Sequence, residues 1–144
     1  YFLLKTKMMN FKLLIFVPVL LLMSNCKTQS QTQTSGDNTL TIGINEKTTI
    51  PNSKISLEFK EIVEDSRCPV DVTCVWEGIA IVNMDATNGN QKTNFQISNQ
   101  NLEDKNITRS ISVSGYKITW QQLKPQPGGK EETPFVTLQY KKID

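Results

Sequence analysis

Residues 75–98 read "VWEGIAIVNMDATNGNQKTNFQIS", and this stretch decides the fold class of the chain. Its first half, through Met84, is apolar at most positions, which is typical of a central strand covered on both faces. The dipeptide Asn88-Gly89 follows, and it favours the positive backbone φ angles of a tight hairpin turn. The second half alternates polar and apolar residues. We therefore predict that residues 75–86 pair antiparallel with residues 92–98.

The same period of two recurs over residues 39–144, which we interpret as a single domain. β-branched and aromatic residues alternate there with polar ones, the pattern of half-buried strands. The alternating apolar residues outside the hairpin are Leu40, Ile42, Ile44, Ile55, Leu57, Phe59, Ile107, Ile111, Val113, Tyr116, Ile118, Trp120, Val136, Leu138 and Tyr140. Turn signals separate these runs. Seven or eight short strands predict an all-β fold, a small antiparallel β-sandwich that is immunoglobulin-like or related, with a small β-barrel as the alternative.

The amino-terminal residues have the pattern of an export signal. Lys5, Lys7 and Lys12 precede an apolar run over residues 13–23, and no acidic residue occurs before Asp37. The run is shorter than the roughly 20 apolar residues that a membrane-spanning helix needs. We therefore interpret residues 1–25 as a signal peptide. Translation is expected to begin at Met8 or Met9, with residues 1–7 upstream of the true start.

The sequence "LLMSNC" at residues 21–26 resembles the lipobox of bacterial lipoproteins. The resemblance implies that Cys26 becomes the first residue of the mature protein and carries the lipid. Residues 26–38 are rich in Gln, Thr and Ser, which predicts a flexible tether. The expected location is the bacterial cell envelope, at the outer membrane or facing the periplasm. The expected membrane partner is the bilayer that holds the lipid.

The chain has three cysteines. If Cys26 carries lipid, Cys68 and Cys74 remain as a pair. Outside the cytoplasm an oxidising environment would maintain this pair as a disulfide.

The net charge argues against nucleic acid as a partner. Three of the 16 basic residues lie in the leader, so the remainder carries 13 basic residues against 14 acidic ones. Nucleic-acid binding needs a basic surface. The composition of the mature chain does not supply one.

Residues 64–78, "EDSRCPVDVTCVWEG", bring together two cysteines, an arginine, a tryptophan and several acidic residues. They resemble the D-S-R-C-P…V-x-C-x-W-x-G signature of short, uncharacterised, exported or lipid-anchored bacterial proteins. The similarity extends through "GYKITWQQLKPQP", residues 115–127. The matching residues are Asp65, Ser66, Arg67, Cys68, Pro69, Val72, Cys74, Trp76 and Gly78. The resemblance implies export and a shared fold, and it implies no reaction and no ligand.

One interpretation of this stretch is structural. The disulfide would close the turn between a strand that ends near Asp65 and a strand that begins near Val72. Trp76 would then lie on the same strand face as Cys74 and pack over the bridge. Arg67 would pair with a neighbouring carboxylate, for which Glu64, Asp65 and Asp71 are the choices.

The second interpretation is a recognition loop, since a braced loop on a rigid sandwich is already ordered before it binds. The candidate binding residues are Glu64, Asp65, Arg67, Pro69, Asp71 and Trp76. In this interpretation the protein is not an enzyme and uses no cofactor. Its partner would be an envelope protein or a small ligand. A more specific version is a protease inhibitor that offers Arg67 in the constrained loop.

Metal binding and catalysis are the remaining alternatives. Asp65, Asp71 and Glu77 could give oxygen ligands to calcium, although their spacing is not that of an EF-hand loop. The chain has no histidine, which excludes Ser–His and Cys–His catalysis. A carboxylate pair such as Glu64 with Asp71 is the acid–base arrangement left.

Overall fold

A computed structural model describes residues 38–144. The predicted signal peptide, Cys26 and the tether up to Asp37 lie outside the described residues. The eight strands are β1 (Thr39–Gly43), β2 (Lys47–Thr49), β3 (Ile55–Asp65), β4 (Ala80–Asn88), β5 (Gln91–Ser98), β6 (Ser110–Val113), β7 (Tyr116–Lys124) and β8 (Phe135–Lys142). A single turn of 3₁₀-helix, Glu103–Lys105, lies between β5 and β6. Within residues 38–144 no helix has the length and apolar character needed to cross a bilayer.

The strands form two separate antiparallel sheets. The first has the order β1-β8-β7-β6, and the second has the order β2-β3-β4-β5. The prediction of a small β-sandwich is confirmed, and the alternative of a closed barrel is wrong. In the second sheet all four strands lie in sequence order. In the first sheet β6, β7 and β8 lie in sequence order, and β1 pairs with β8. This order differs from that of immunoglobulin domains.

The core lies between the sheets and is made of the inward-facing residue of each alternating pair. Trp120 is among its large side chains and is only 2% exposed. The other members include Ile42, Ile50, Leu57, Phe59, Val82, Met84, Ile97, Ile118, Leu123, Val136 and Leu138. The alternation in the sequence thus reports burial correctly for most strands.

The central hairpin begins later than predicted. β4 starts at Ala80, not at residue 75, and it pairs with β5 as expected. Asn88 remains in the strand, opposite Gln91, and Gly89 takes the positive φ of 60° at the turn. The error at the start arises because residues 75–79 are apolar enough to mimic a strand while lying in the preceding loop.

The outer face of the second sheet is partly covered. The segment after β5 places Leu102 and Ile107 over Ile81, which forms a small second cluster of buried residues. Farther along the same face Asp85 is buried, with Lys92 and Asn94 each 2.8 Å from a carboxylate oxygen. Their hydrogen bonds hold the pKa of Asp85 below its ordinary value despite its burial.

The two ends of the sandwich differ. At one end, which we call the loop end, β3 stops at Asp65 and β8 starts at Phe135. Gly43 of β1 pairs with Phe135, whereas Thr39 pairs with Gln139. With a rise of about 3.3 Å per residue, the chain enters β1 about 13 Å from the loop end, toward the opposite end.

Candidate functional site

Residues 64–78, which carry the resemblance to the exported-protein signature, lie at the loop end, where β3 and β4 are connected. Backbone hydrogen bonds continue past the strands, from Ser66 N–H to the Ile79 carbonyl at 2.7 Å and from Cys68 N–H to the Glu77 carbonyl at 3.1 Å. The disulfide joins Cys68 to Cys74, so the predicted pairing is present. We call residues 69–77 the tip.

Arg67 fastens the base of the tip to the opposite sheet. Its Nε and Nη2 donate to the two carboxylate oxygens of Asp65, each at 2.7 Å. Nη1 donates to the Leu123 carbonyl, and Nη2 also donates to the Pro125 carbonyl at 2.9 Å. A planar guanidinium suits such a bidentate arrangement, and its remaining donors can reach backbone acceptors.

This arrangement decides among the three carboxylates predicted for Arg67, because the ion pair forms with Asp65. Only 13% of the Arg67 side chain is exposed. The sequence pattern predicts Arg67 among the residues that a loop offers to a partner. The guanidinium instead faces the protein, where it ties β3 to β7.

Gly78 permits the close approach at the other side of the base. It is buried with a φ of 77°, and a Cβ placed on it would lie 2.1 Å from the Ser66 carbonyl oxygen. Its own carbonyl accepts hydrogen bonds from the side-chain amides of Asn99 and Gln100, at 3.0 Å and 2.8 Å. The positive φ and the lack of space for a Cβ therefore explain why position 78 of the signature is a glycine.

A second loop, residues 125–134, supports the tip from the side. The Gln126 amide donates to the Cys68 carbonyl at 2.8 Å, and Val70 N–H donates to the Pro127 carbonyl at 3.0 Å. Between this loop and Val70 there is an open cleft of about 410 Å³, with Phe135 in its wall. The loop that connects β7 and β8 of the other sheet thus contacts the first residues of the tip.

The tip itself projects into solvent with apolar side chains. Among the described residues 38–144, six large apolar side chains are exposed, and four of them lie here: Val70, Val72, Val75 and Trp76. Val75 is fully exposed, and Trp76 is 60% exposed. The predicted strand beginning near Val72, with Cys74 and Trp76 on one strand face, is wrong, because β4 starts only at Ala80. The packing of Trp76 over the disulfide stays a prediction. An exposed apolar cluster of this kind is typical of a contact surface.

The acidic residues of the stretch have different surroundings. Glu64 lies 2.8 Å from the Lys105 ammonium, and its carboxylate raises the pKa of that lysine. Asp65 is held by Arg67. Asp71 and Glu77 are exposed on the tip, and neither takes part in an ion pair within residues 38–144.

These positions bear on the metal and enzyme alternatives. In the described part of the chain, no three acidic, cysteine or histidine side chains form a group that could hold a metal ion. Asp65, Asp71 and Glu77 are thus not gathered as calcium ligands. Glu64 is occupied by Lys105 and Asp71 lies on the tip, so the geometry gives no support to a catalytic carboxylate pair.

No protein-family model, no curated protein and no solved structure matches this chain. The interpretation of the site therefore depends on its own geometry.

The sequence alone does not predict several residues of the site. They are the Leu123 and Pro125 carbonyls that receive Arg67, the Gln126 amide, and the amides of Asn99 and Gln100. The signal that was present is the extension of the resemblance through residues 115–127, which contains the first three of these. The role of Asn99 and Gln100 has no counterpart in that pattern.

The geometry predicts that Arg67→Ala and Arg67→Lys each lower the free energy of unfolding by about 2–3 kcal/mol. Removal of the guanidinium takes the side-chain donors away from the Asp65 carboxylate and from two carbonyls, and lysine cannot replace a bidentate group. Urea denaturation monitored by circular dichroism measures the change.

The matched control is Arg109→Ala, since Arg109 is exposed and makes one side-chain hydrogen bond of 3.3 Å, to the Asn99 carbonyl. This variant is expected to lose no more than about 0.5 kcal/mol. Equal stabilities for the Arg67 and Arg109 variants would contradict the structural role of Arg67.

Proposed function

We propose that this protein is a lipid-anchored component of the bacterial cell envelope with a non-catalytic binding role, and that the tip is its contact surface. The observation that carries the proposal is the exposed apolar cluster of Val70, Val72, Val75 and Trp76 on a covalently closed hairpin end. Exposed apolar side chains have a cost in water, and a disulfide-closed loop that presents them to solvent is suited to binding.

The order at the base of the tip supports a binding role over a purely structural one. If this end of the hairpin served only to stabilise the fold, its large apolar side chains would be expected to be buried. Here the stabilising contacts lie below the tip, at Arg67 and Gly78, and the apolar side chains lie beyond them. Stabilisation and recognition are thus assigned to different residues of one hairpin.

The anchoring part of the proposal is supported by the leader and by the lipobox resemblance at Cys26. The Cys68–Cys74 disulfide is compatible with a location outside the cytoplasm. The protease-inhibitor alternative is not retained, because it needs the Arg67 guanidinium to be accessible and that group is occupied by Asp65 and two carbonyls.

A photo-crosslinking amino acid at position 72 tests the contact surface in growing cells. Val72 is exposed at the tip, so we expect a discrete adduct of higher mass that is lost when Trp76→Glu is added. The control position is Gln121, which is exposed on β7. Absence of an adduct from position 72, or equal adducts from both positions, would refute the tip as the contact surface.

Metabolic labelling with palmitate tests the anchor separately. The wild-type protein should incorporate label and sediment with membranes, and Cys26→Ala should abolish the labelling. The matched control is Cys74→Ser, which removes a cysteine on the tip and should leave palmitate incorporation unchanged. Label retained in Cys26→Ala would show that the lipid is attached elsewhere.

A further inference from the structure

The tip carries a charge that is not neutralised by the protein. Its ionisable side chains are Asp71 and Glu77, both exposed and both without an ion-pair partner among residues 38–144. The other two acids of the stretch, Glu64 and Asp65, have their own partners. The apolar cluster is therefore accompanied by two free negative charges.

The free charges disfavour two possible occupants. An anionic phospholipid surface would repel Asp71 and Glu77, so insertion of Trp76 into such a bilayer is opposed by electrostatics. A second copy meeting the first tip to tip would bring together four like charges in a two-fold symmetric contact. Opposite charge on the partner surface, by contrast, would favour encounter and fix the partner's identity.

We propose that the tip binds a protein partner whose contact surface is apolar and carries lysine or arginine side chains that meet Asp71 and Glu77. This inference rests on the proposed function and adds the chemistry of the partner to it. The apolar part of the partner covers Val72, Val75 and Trp76. The cleft beyond Val70 contains Lys124, Lys130 and Glu132 and forms no part of the proposed surface.

The test uses the full protein as the cell processes it, incorporated in phosphatidylcholine vesicles. Three synthetic peptides share a Leu-Phe-Leu core and are flanked on each side by two lysines, two glutamates or two serines. The readout is the emission of Trp76, obtained as the difference between the wild type and Trp76→Phe. Trp120 contributes equally to both proteins because it is buried in the core.

We expect the lysine-flanked peptide to bind about tenfold more tightly than the glutamate-flanked peptide at low salt, since two exposed ion pairs are formed. The preference should decrease as salt is added. Asp71→Asn with Glu77→Gln should abolish the preference without changing the melting temperature. The matched control is Glu131→Gln with Glu132→Gln, which removes two exposed acids from the supporting loop and should leave the preference intact.

Distinct results would overturn the inference. Equal binding of the three peptides, or binding of none, refutes the basic partner, and the proposed function still stands if position 72 gives its adduct in cells. Quenching of Trp76 by brominated lipid identifies the bilayer as the occupant. A dimer that dissociates on Trp76→Glu identifies a second copy. Loss of the position-72 adduct as well would refute the proposed function itself.

Discussion

The guanidinium of Arg67 is the contact on which the rest of this site depends. It joins Asp65 at the end of β3 to the carbonyls of Leu123 and Pro125 at the end of β7, and so it connects the two sheets at one end of the sandwich. The disulfide closes a short loop and limits its freedom. It does not by itself set the direction of that loop. Arg67 and the close approach at Gly78 do this, which leaves the apolar side chains of the tip in solvent.

The division of roles within one hairpin explains why a small domain tolerates so exposed an apolar cluster. The core of the sandwich is complete without the tip, since Trp120 and the inward faces of both sheets are buried independently of it. The side chains of Val75 and Trp76 therefore contribute little to the fold. Residues free of a structural role are available for recognition, and a rigid base lowers the entropy that a partner must overcome.

Much of the fold could be predicted from the sequence because half-buried strands record burial in a period of two. The prediction failed where that record was misleading. Val75, Trp76 and Ile79 are apolar but lie beyond the strand, and nothing in the local sequence distinguishes an apolar residue that is buried from one that is exposed. The short β2 was missed because Lys47–Thr49 has no alternation and forms by pairing with β3.

The disulfide followed from counting cysteines, whereas the acceptors of Arg67 are 56 and 58 residues away and belong to the backbone. The resemblance extends over both acceptor positions, but hydrogen bonds to backbone carbonyls do not require particular side chains, so the sequence does not show which carbonyls accept from Arg67.

Amide hydrogen exchange in the folded protein tests most directly whether the base of the tip is held by its contacts. The Cys68 and Val70 amides donate to the Glu77 and Pro127 carbonyls, so both should exchange slowly in the oxidised wild type. In Arg67→Lys both should exchange faster, while the amides of the β4–β5 hairpin keep their protection. Rapid exchange of the Cys68 and Val70 amides in the wild type would contradict a rigid base, and with it the assignment of Arg67 as the residue that fixes the tip.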